Sequence, residues 1–142
     1  MNQVQATDEI LTAFRTAWNA LTTAVCGYVP AVEWPGVDPM SAADKTKAWA
    51  RVAVLHNKSG QTGFGDAGSR MFTRRGIVVV QVFTPRDLLM AQQLGIIARN
   101  VYEDEPTPGG VWFRGATVNE VGATASWFQL NVLAEFQYDE LK

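Results

Sequence analysis

The stretch that decides the fold is Gly76-Ile77-Val78-Val79-Val80-Gln81-Val82-Phe83-Thr84-Pro85. Its centre, residues 77–80, is β-branched and apolar on both faces of an extended chain, which is typical of a central strand. We therefore expect each face to be covered by a helix, a second layer or another subunit. Gly76 is a candidate for a bulge or a close backbone approach, and Thr84 and Pro85 suit the N-cap and first position of a following helix.

Apolar periodicity on either side of this stretch supplies the other elements. Residues at three- and four-residue steps predict helices over about 8–26, with Thr7 as N-cap and Gly27 as stop, and over about 85–101. Alternating patterns predict strands over about 49–57, 71–83, 111–121 and 126–138, with a short extended piece at 31–34. Residues 37–46 and the glycine-rich residues 58–69 read as loops. This order predicts one α+β domain over 1–142, with a mainly antiparallel sheet of about four or five strands and two main helices on one face.

Composition excludes several classes of protein. The 142 residues are 47% hydrophobic and 18% charged with a net charge of −2, which excludes a disordered chain and gives no global basic field for nucleic acid. No apolar run is long enough to span a bilayer, and the N-terminus has no secretion signal, so we expect a soluble intracellular domain without membrane contact. The one cysteine, Cys26, excludes an internal disulfide.

Residues that could support chemistry are few. The run Gly63–Gly68 matches the dinucleotide-binding glycine pattern, but a strand follows it where phosphate binding needs a helix. His56 is the only histidine, and both it and Cys26 are better explained as structural residues. The acidic residues 103–105 lack the alternate spacing of a calcium loop. We therefore expect no catalytic residue, no metal site and no cofactor.

Two features favour a contact with other proteins. Arg70, Arg74 and Arg75 form the one local basic cluster, which could meet an acidic partner, lie near DNA or make intramolecular pairs. The chain also has five tryptophans, a supply of aromatic residues that suggests self-association as well as a core.

The strands resemble the tail terminator family of long-tailed bacteriophages. The resemblance rests on the joint order of segments along nearly the whole chain, while residues 29–46 contribute little. The segments are Trp49–His56, Arg70 and Arg74 leading into Gly76–Pro85, Val111–Arg114, Glu120–Gly122 and Trp127–Glu140. It implies a protein at the head-proximal end of the virion tail, assembled in the host cytoplasm as a hexameric ring on the tail tube. Such a ring stops tube polymerisation, presents a surface to the head-completion or connector protein, and lets genomic DNA pass without specific binding. It implies no catalysis and no cofactor.

We expect that either the polar, solvent-facing side of the last strand or the glycine loop with its arginines lies at a subunit contact or lines the channel. The residues concerned are Phe64, Arg70, Arg74, Arg75, Gln129 and Asn131. Two alternatives stay open: another neck or tail-completion protein of the head–tail connector, and a small α+β enzyme or ligand-binding module that uses His56. The enzyme alternative predicts a buried polar pocket beside His56.

Overall fold

The computed structural model describes residues 1–36, 46–85, 87–103, 105–124 and 126–142, without the side chain of residue 124. The elements in chain order are α1 (Gln3–Leu21), α2 (Thr23–Cys26), β1 (Ala31–Glu33), β2 (Trp49–Gly63), β3 (Met71–Thr84), α3 (Leu88–Val101), β4 (Trp112–Thr124) and β5 (Trp127–Leu141). Most of the loop predicted at 37–46 lies outside the described residues.

The strands form one five-stranded sheet in the order β1-β2-β3-β5-β4. The short β1 pairs parallel to β2, and the other pairs are antiparallel. β3 is paired along its whole length, with β2 on one side and β5 on the other. The predicted α+β class with a mainly antiparallel sheet is confirmed.

Helices α1 and α3 pack with one face of the sheet and build the core there. Val78, Val80 and Val82 of β3 are buried on this face, and α1 contributes Phe14 and Trp18. The opposite side chains of β3 are only partly buried, and none of the described helices contributes a layer on that side. We call this second surface the open face. Within the described residues no helix or second layer covers the open face, so a cover there by another subunit stays a prediction.

The N-terminal helix starts earlier than its apolar stripe predicts. It begins at Gln3 with Asn2 as its N-cap, and the Asn2 and Gln5 side chains each accept the other residue's backbone N–H at 2.9 Å. This capping box extends the helix through polar residues, which an apolar periodicity does not detect. The predicted start near Asp8, capped by Thr7, is wrong. The predicted stop is confirmed, because Gly27 caps α2 in the left-handed region at φ 80°.

The second long helix starts later than predicted. Thr84 is the last residue of β3, where it pairs with Phe128, so it is not the N-cap and Pro85 is not the first helical residue. The cap is Asp87, whose carboxylate accepts the Met90 N–H at 3.1 Å. The Thr84 hydroxyl donates to the Asp87 carbonyl oxygen at 2.9 Å and so braces the strand-to-helix turn.

The glycine-rich segment is largely strand. β2 continues to Gly63 and pairs with β3, with register shifts between His56 and Lys58 and between Gln61 and Gly63. The predicted loop over 58–69 is therefore reduced to residues 64–70. A composition rich in glycine hides this strand from an argument based on strand propensity.

Candidate functional site

The β2–β3 hairpin forms a projecting arm, which we define as residues 58–75 and call the hairpin arm. Phe64, the first residue after β2, is 93% exposed at its tip. The turn is held by two hydrogen bonds: the Ser69 N–H donates to the Asp66 carbonyl at 2.9 Å, and the Arg70 Nε–H to the Gly65 carbonyl at 3.2 Å. The tip is therefore a hydrogen-bonded turn that presents one aromatic side chain to solvent.

The structure divides the basic cluster of the hairpin arm between two faces. Arg74 lies on the helix side, where its guanidinium pairs with Glu140 at 2.8 Å. Arg75 lies on the open face and donates to the Gln137 side chain at 3.2 Å. Arg70 lies beside Lys142, and the backbones of the two residues exchange hydrogen bonds. Adjacent strand residues point to opposite faces, so Arg74 and Arg75 do not share one surface. Both make contacts within the chain, which is one of the interpretations that the sequence left open.

A row of polar side chains crosses the open face from edge to edge. One register line joins Glu33, Arg51, Gln81, Asn131 and Asn119, one residue from each of the five strands. The Arg51 guanidinium donates to Glu33 at 3.1 Å and to Gln81 at 3.3 Å. We call this set the polar row.

The predicted residue Asn131 belongs to the polar row, and the predicted residue Gln129 adjoins it, since its side-chain amide donates to the Asn131 side chain at 3.1 Å. Arg75 shares their face but pairs across the ladder with Gln137. Gln137 lies six positions along β5 from Asn131, which is about 20 Å of strand. The two candidate places named from the sequence are therefore separate on the molecule, and the role of each stays a prediction.

An aromatic pair borders the polar row. Trp49 and Phe83 stack with centroids 4.2 Å apart, and the Arg51 guanidinium lies 5.3 Å from the Trp49 ring. Trp49 is only 6% exposed. The contact between the buried Trp49 indole and the Arg51 guanidinium stabilises this end of the sheet. Trp49 and Phe83 therefore contribute to packing within the single chain.

His56 sits at the base of the hairpin arm in a network with aromatic residues. Its Nε2 lies 2.8 Å from the Tyr138 hydroxyl, and the ring packs edge-on against Phe136 with centroids 5.1 Å apart. Partial burial lowers the pKa of His56, and the positive charge of Arg74 lowers it further. The neutral imidazole is therefore favoured, and its Nε2 can accept a hydrogen bond from the Tyr138 hydroxyl.

The surface beside His56 is an open, polar depression of about 650 Å³. Its lining includes Lys58, Arg74 and Glu140, and the last two are already paired with each other. The thiol of Cys26 is elsewhere, within hydrogen-bond distance of the Thr22 and Tyr28 carbonyls, and burial raises its pKa. The enzyme alternative expects a buried pocket here, whereas this depression is open to solvent.

A second surface, which sequence reasoning missed, lies along α1. It is an apolar groove of about 610 Å³ between α1 and the loop before β4, and we call it the α1 groove. Besides Asp8, Glu9 and Leu21, its α1 wall consists of small residues at helical spacing: Thr12, Ala13, Thr16, Ala17 and Ala20. The opposite wall includes Pro106, Pro108 and Phe113. In the sequence, the small residues of α1 lie near the buried Phe14 and Trp18 but on a neighbouring side of the helix, which is a signal for a groove. Only the fold shows which residues lie opposite them.

Within the described ranges, no three His, Cys, Asp or Glu side chains lie close enough together to hold a metal ion. The helices described are all too short or too polar to cross a membrane.

Comparisons with known proteins show a shared fold. No family model matches the chain, and no curated protein matches its sequence. Several solved chains are similar in structure, and two of them illustrate the likeness. One, whose name states no function, is 16% identical with a TM-score of 0.62, over 92% of this chain and 94% of the other. The second comes from the virion of a native gene transfer agent particle and is 14% identical with a TM-score of 0.51, over 92% of each chain.

Proposed function

We propose that the protein is a structural protein of a phage-like virion that caps the tail tube as a ring, stops tail polymerisation and provides the surface for head attachment. The observation that carries the proposal is the fold shared over 92% of both chains with a component of a gene transfer agent virion. The segments that resemble tail terminators follow one another in the same order along the chain, and they support the more specific role of capping the tail tube. The proposed role includes no bond-making or bond-breaking step.

The surfaces of the chain support a role in assembly. A heterologous contact that closes after a fixed number of copies makes a ring, whereas one that does not close makes a filament. The hairpin arm and the open face offer two different surfaces for such a contact. The polar row, with amide groups and one Glu–Arg pair, suits either a wet subunit interface or a channel wall along which DNA slides without specific binding.

The test of the ring is the mass and shape of the purified protein over a range of concentrations. Six copies of the 15.6 kDa chain give an assembly of about 94 kDa by light scattering, and electron micrographs of that fraction should show annular particles. A protein that stays a monomer or dimer at the highest concentration reached, and forms no rings with tail tubes added, would contradict the proposal.

The test of the cap is removal of the gene from a host that makes the particle. Loss of a tube cap should leave tubes of uncontrolled length without heads. Tails of normal length that lack heads would instead indicate another neck or tail-completion protein, which is the nearest alternative. The two outcomes are distinguished by measuring tail lengths in micrographs.

A charge reversal tests the role of the hairpin arm. Arg75→Glu leaves the Arg74–Glu140 pair intact and should reduce ring formation or head joining. Lys47→Glu makes the same change at a cation that lies 5.1 Å from the Tyr28 ring, away from the hairpin arm. Equal ring formation and head joining in both variants would remove Arg75 from the contact.

A further inference from the structure

We propose that the tip of the hairpin arm of one copy, led by Phe64, inserts into the α1 groove of a neighbouring copy. The inference rests on the proposed ring, since it names the contact that joins successive subunits. The occupant of the groove is thus a second copy of this chain.

The hairpin arm presents one exposed apolar side chain at its tip, that of Phe64, which we call the knob. Phe64 is 93% exposed, and none of the ring contacts found in the described chain involves it. The Ser69–Asp66 and Arg70–Gly65 hydrogen bonds fix the turn behind it. A turn that is already ordered loses little conformational entropy on docking, so more of the gain from burying the ring goes into affinity.

The α1 groove supplies a matching hole. Small side chains leave room along α1, and Phe113 gives the opposite wall an aromatic surface. The loop that carries this wall is held in place, because the Glu9 carboxylate accepts the Gly109 N–H at 2.6 Å and the Thr107 hydroxyl at 3.3 Å. A braced apolar groove of this size can receive an aromatic side chain without rearranging.

Charge favours the same pairing. Asp8, Glu9 and Glu105 are among the residues that line the groove, and none of the described lining residues is a lysine or arginine. The hairpin arm carries Lys58, Arg70 and Arg75 against one acidic residue, Asp66, in addition to Arg74, which is paired with Glu140. Complementary charge around an apolar contact guides the approach and sets its orientation.

The knob of one copy does not fill its own groove. β3 is held between β2 and β5, and the Arg70–Lys142 hydrogen bonds continue this pairing to the base of the turn. The residues that line the groove come from α1, from Val101 and from residues 105–113, and none comes from the hairpin arm. Knob and groove are thus different surfaces, and the contact is heterologous, as a ring requires.

Two single variants test the contact from its two sides. Phe64→Ala removes the knob and Ala17→Phe fills the groove. Each should weaken self-association in sedimentation experiments by about 10- to 100-fold in Kd, the effect of losing one buried aromatic side chain. Leu89→Ala and Asn19→Phe are the matched controls, because Leu89 is 69% exposed on α3 and Asn19 is an exposed α1 residue outside the groove lining. Circular dichroism and thermal unfolding establish that each variant is folded.

A mixture of the two variants gives the decisive result. Phe64→Ala retains a groove and Ala17→Phe retains a knob, so an equimolar mixture should form a one-to-one dimer that neither variant forms alone. Failure of the mixture to associate, or wild-type self-association in both variants, would overturn the knob-and-groove contact. If the wild type still forms rings in that case, the proposed function survives and only this contact is wrong. A wild type that never self-associates would contradict both.

Discussion

Replacing Gly76 with alanine should destabilise the protein strongly, because no space exists for one methyl group at this position. Gly76 is buried in β3 opposite His56. A Cβ built there would lie 2.2 Å from the Leu55 carbonyl oxygen and 2.4 Å from Cζ of the Phe136 ring. The carbonyl belongs to the β2 backbone, which the β2–β3 ladder holds in place, so the clash cannot be relieved by rotating a side chain.

The magnitude follows from two opposing effects. Forcing a methyl group into a well-packed core costs about 1–3 kcal/mol, and the upper end applies here because backbone and a packed ring must both shift. Alanine also restricts the unfolded chain, which offsets about 0.4–1 kcal/mol. We therefore expect the free energy of unfolding to fall by about 2–3 kcal/mol, and Tm to fall by about 5–10 °C for a domain of this size.

Urea denaturation followed by tryptophan fluorescence measures this change, with Gly60→Ala as the control. Gly60 lies on β2 in the hairpin arm, where an added Cβ meets nothing within 4 Å. The control should stay within about 0.5 kcal/mol of the wild type. A Gly76→Ala protein as stable as the Gly60→Ala protein would refute the close approach of β2, β3 and β5 at this point.

Three further predictions concern polar groups. The Arg74–Glu140 pair, 2.8 Å apart and mostly buried, should show a coupling of about 1 kcal/mol in a double-mutant cycle with Arg74→Gln and Glu140→Gln; additive losses would contradict it. Because the pKa of His56 is lowered from 6.5 in the folded state, the unfolded state binds its proton first as the pH falls. The stability that His56 contributes is complete above pH 6.5 and declines below it, so urea midpoints should drop from pH 7.5 to 5.5, and less so in His56→Gln. Glu9→Ala removes the acceptor of the Gly109 N–H and should cost about 1–2 kcal/mol in thermal unfolding, whereas an unchanged Tm would show that the loop needs no brace.

Local patterns were sufficient for the class of the fold. The apolar run before Thr84 predicted the central strand, and Gly76 was correctly identified as a point of close approach. The ends of elements were predicted less well. α1 begins at Gln3 because a capping box of polar residues extends it, and β2 continues to Gly63 because pairing with β3 outweighs the weak strand preference of its glycines.

The sequence by itself determined which side chains alternate along each strand and repeat along each helix, because these patterns depend on neighbours a few residues away. Only the tertiary structure decided which strands are adjacent and in what register. That register places Arg51, Gln81 and Asn131 in one polar row and turns Arg74 and Arg75 to opposite faces. It is also packing at long range that sets Phe113 across from the small residues of α1. Contacts between residues far apart in the chain form only when the whole core is assembled, so no local period of the sequence encodes them.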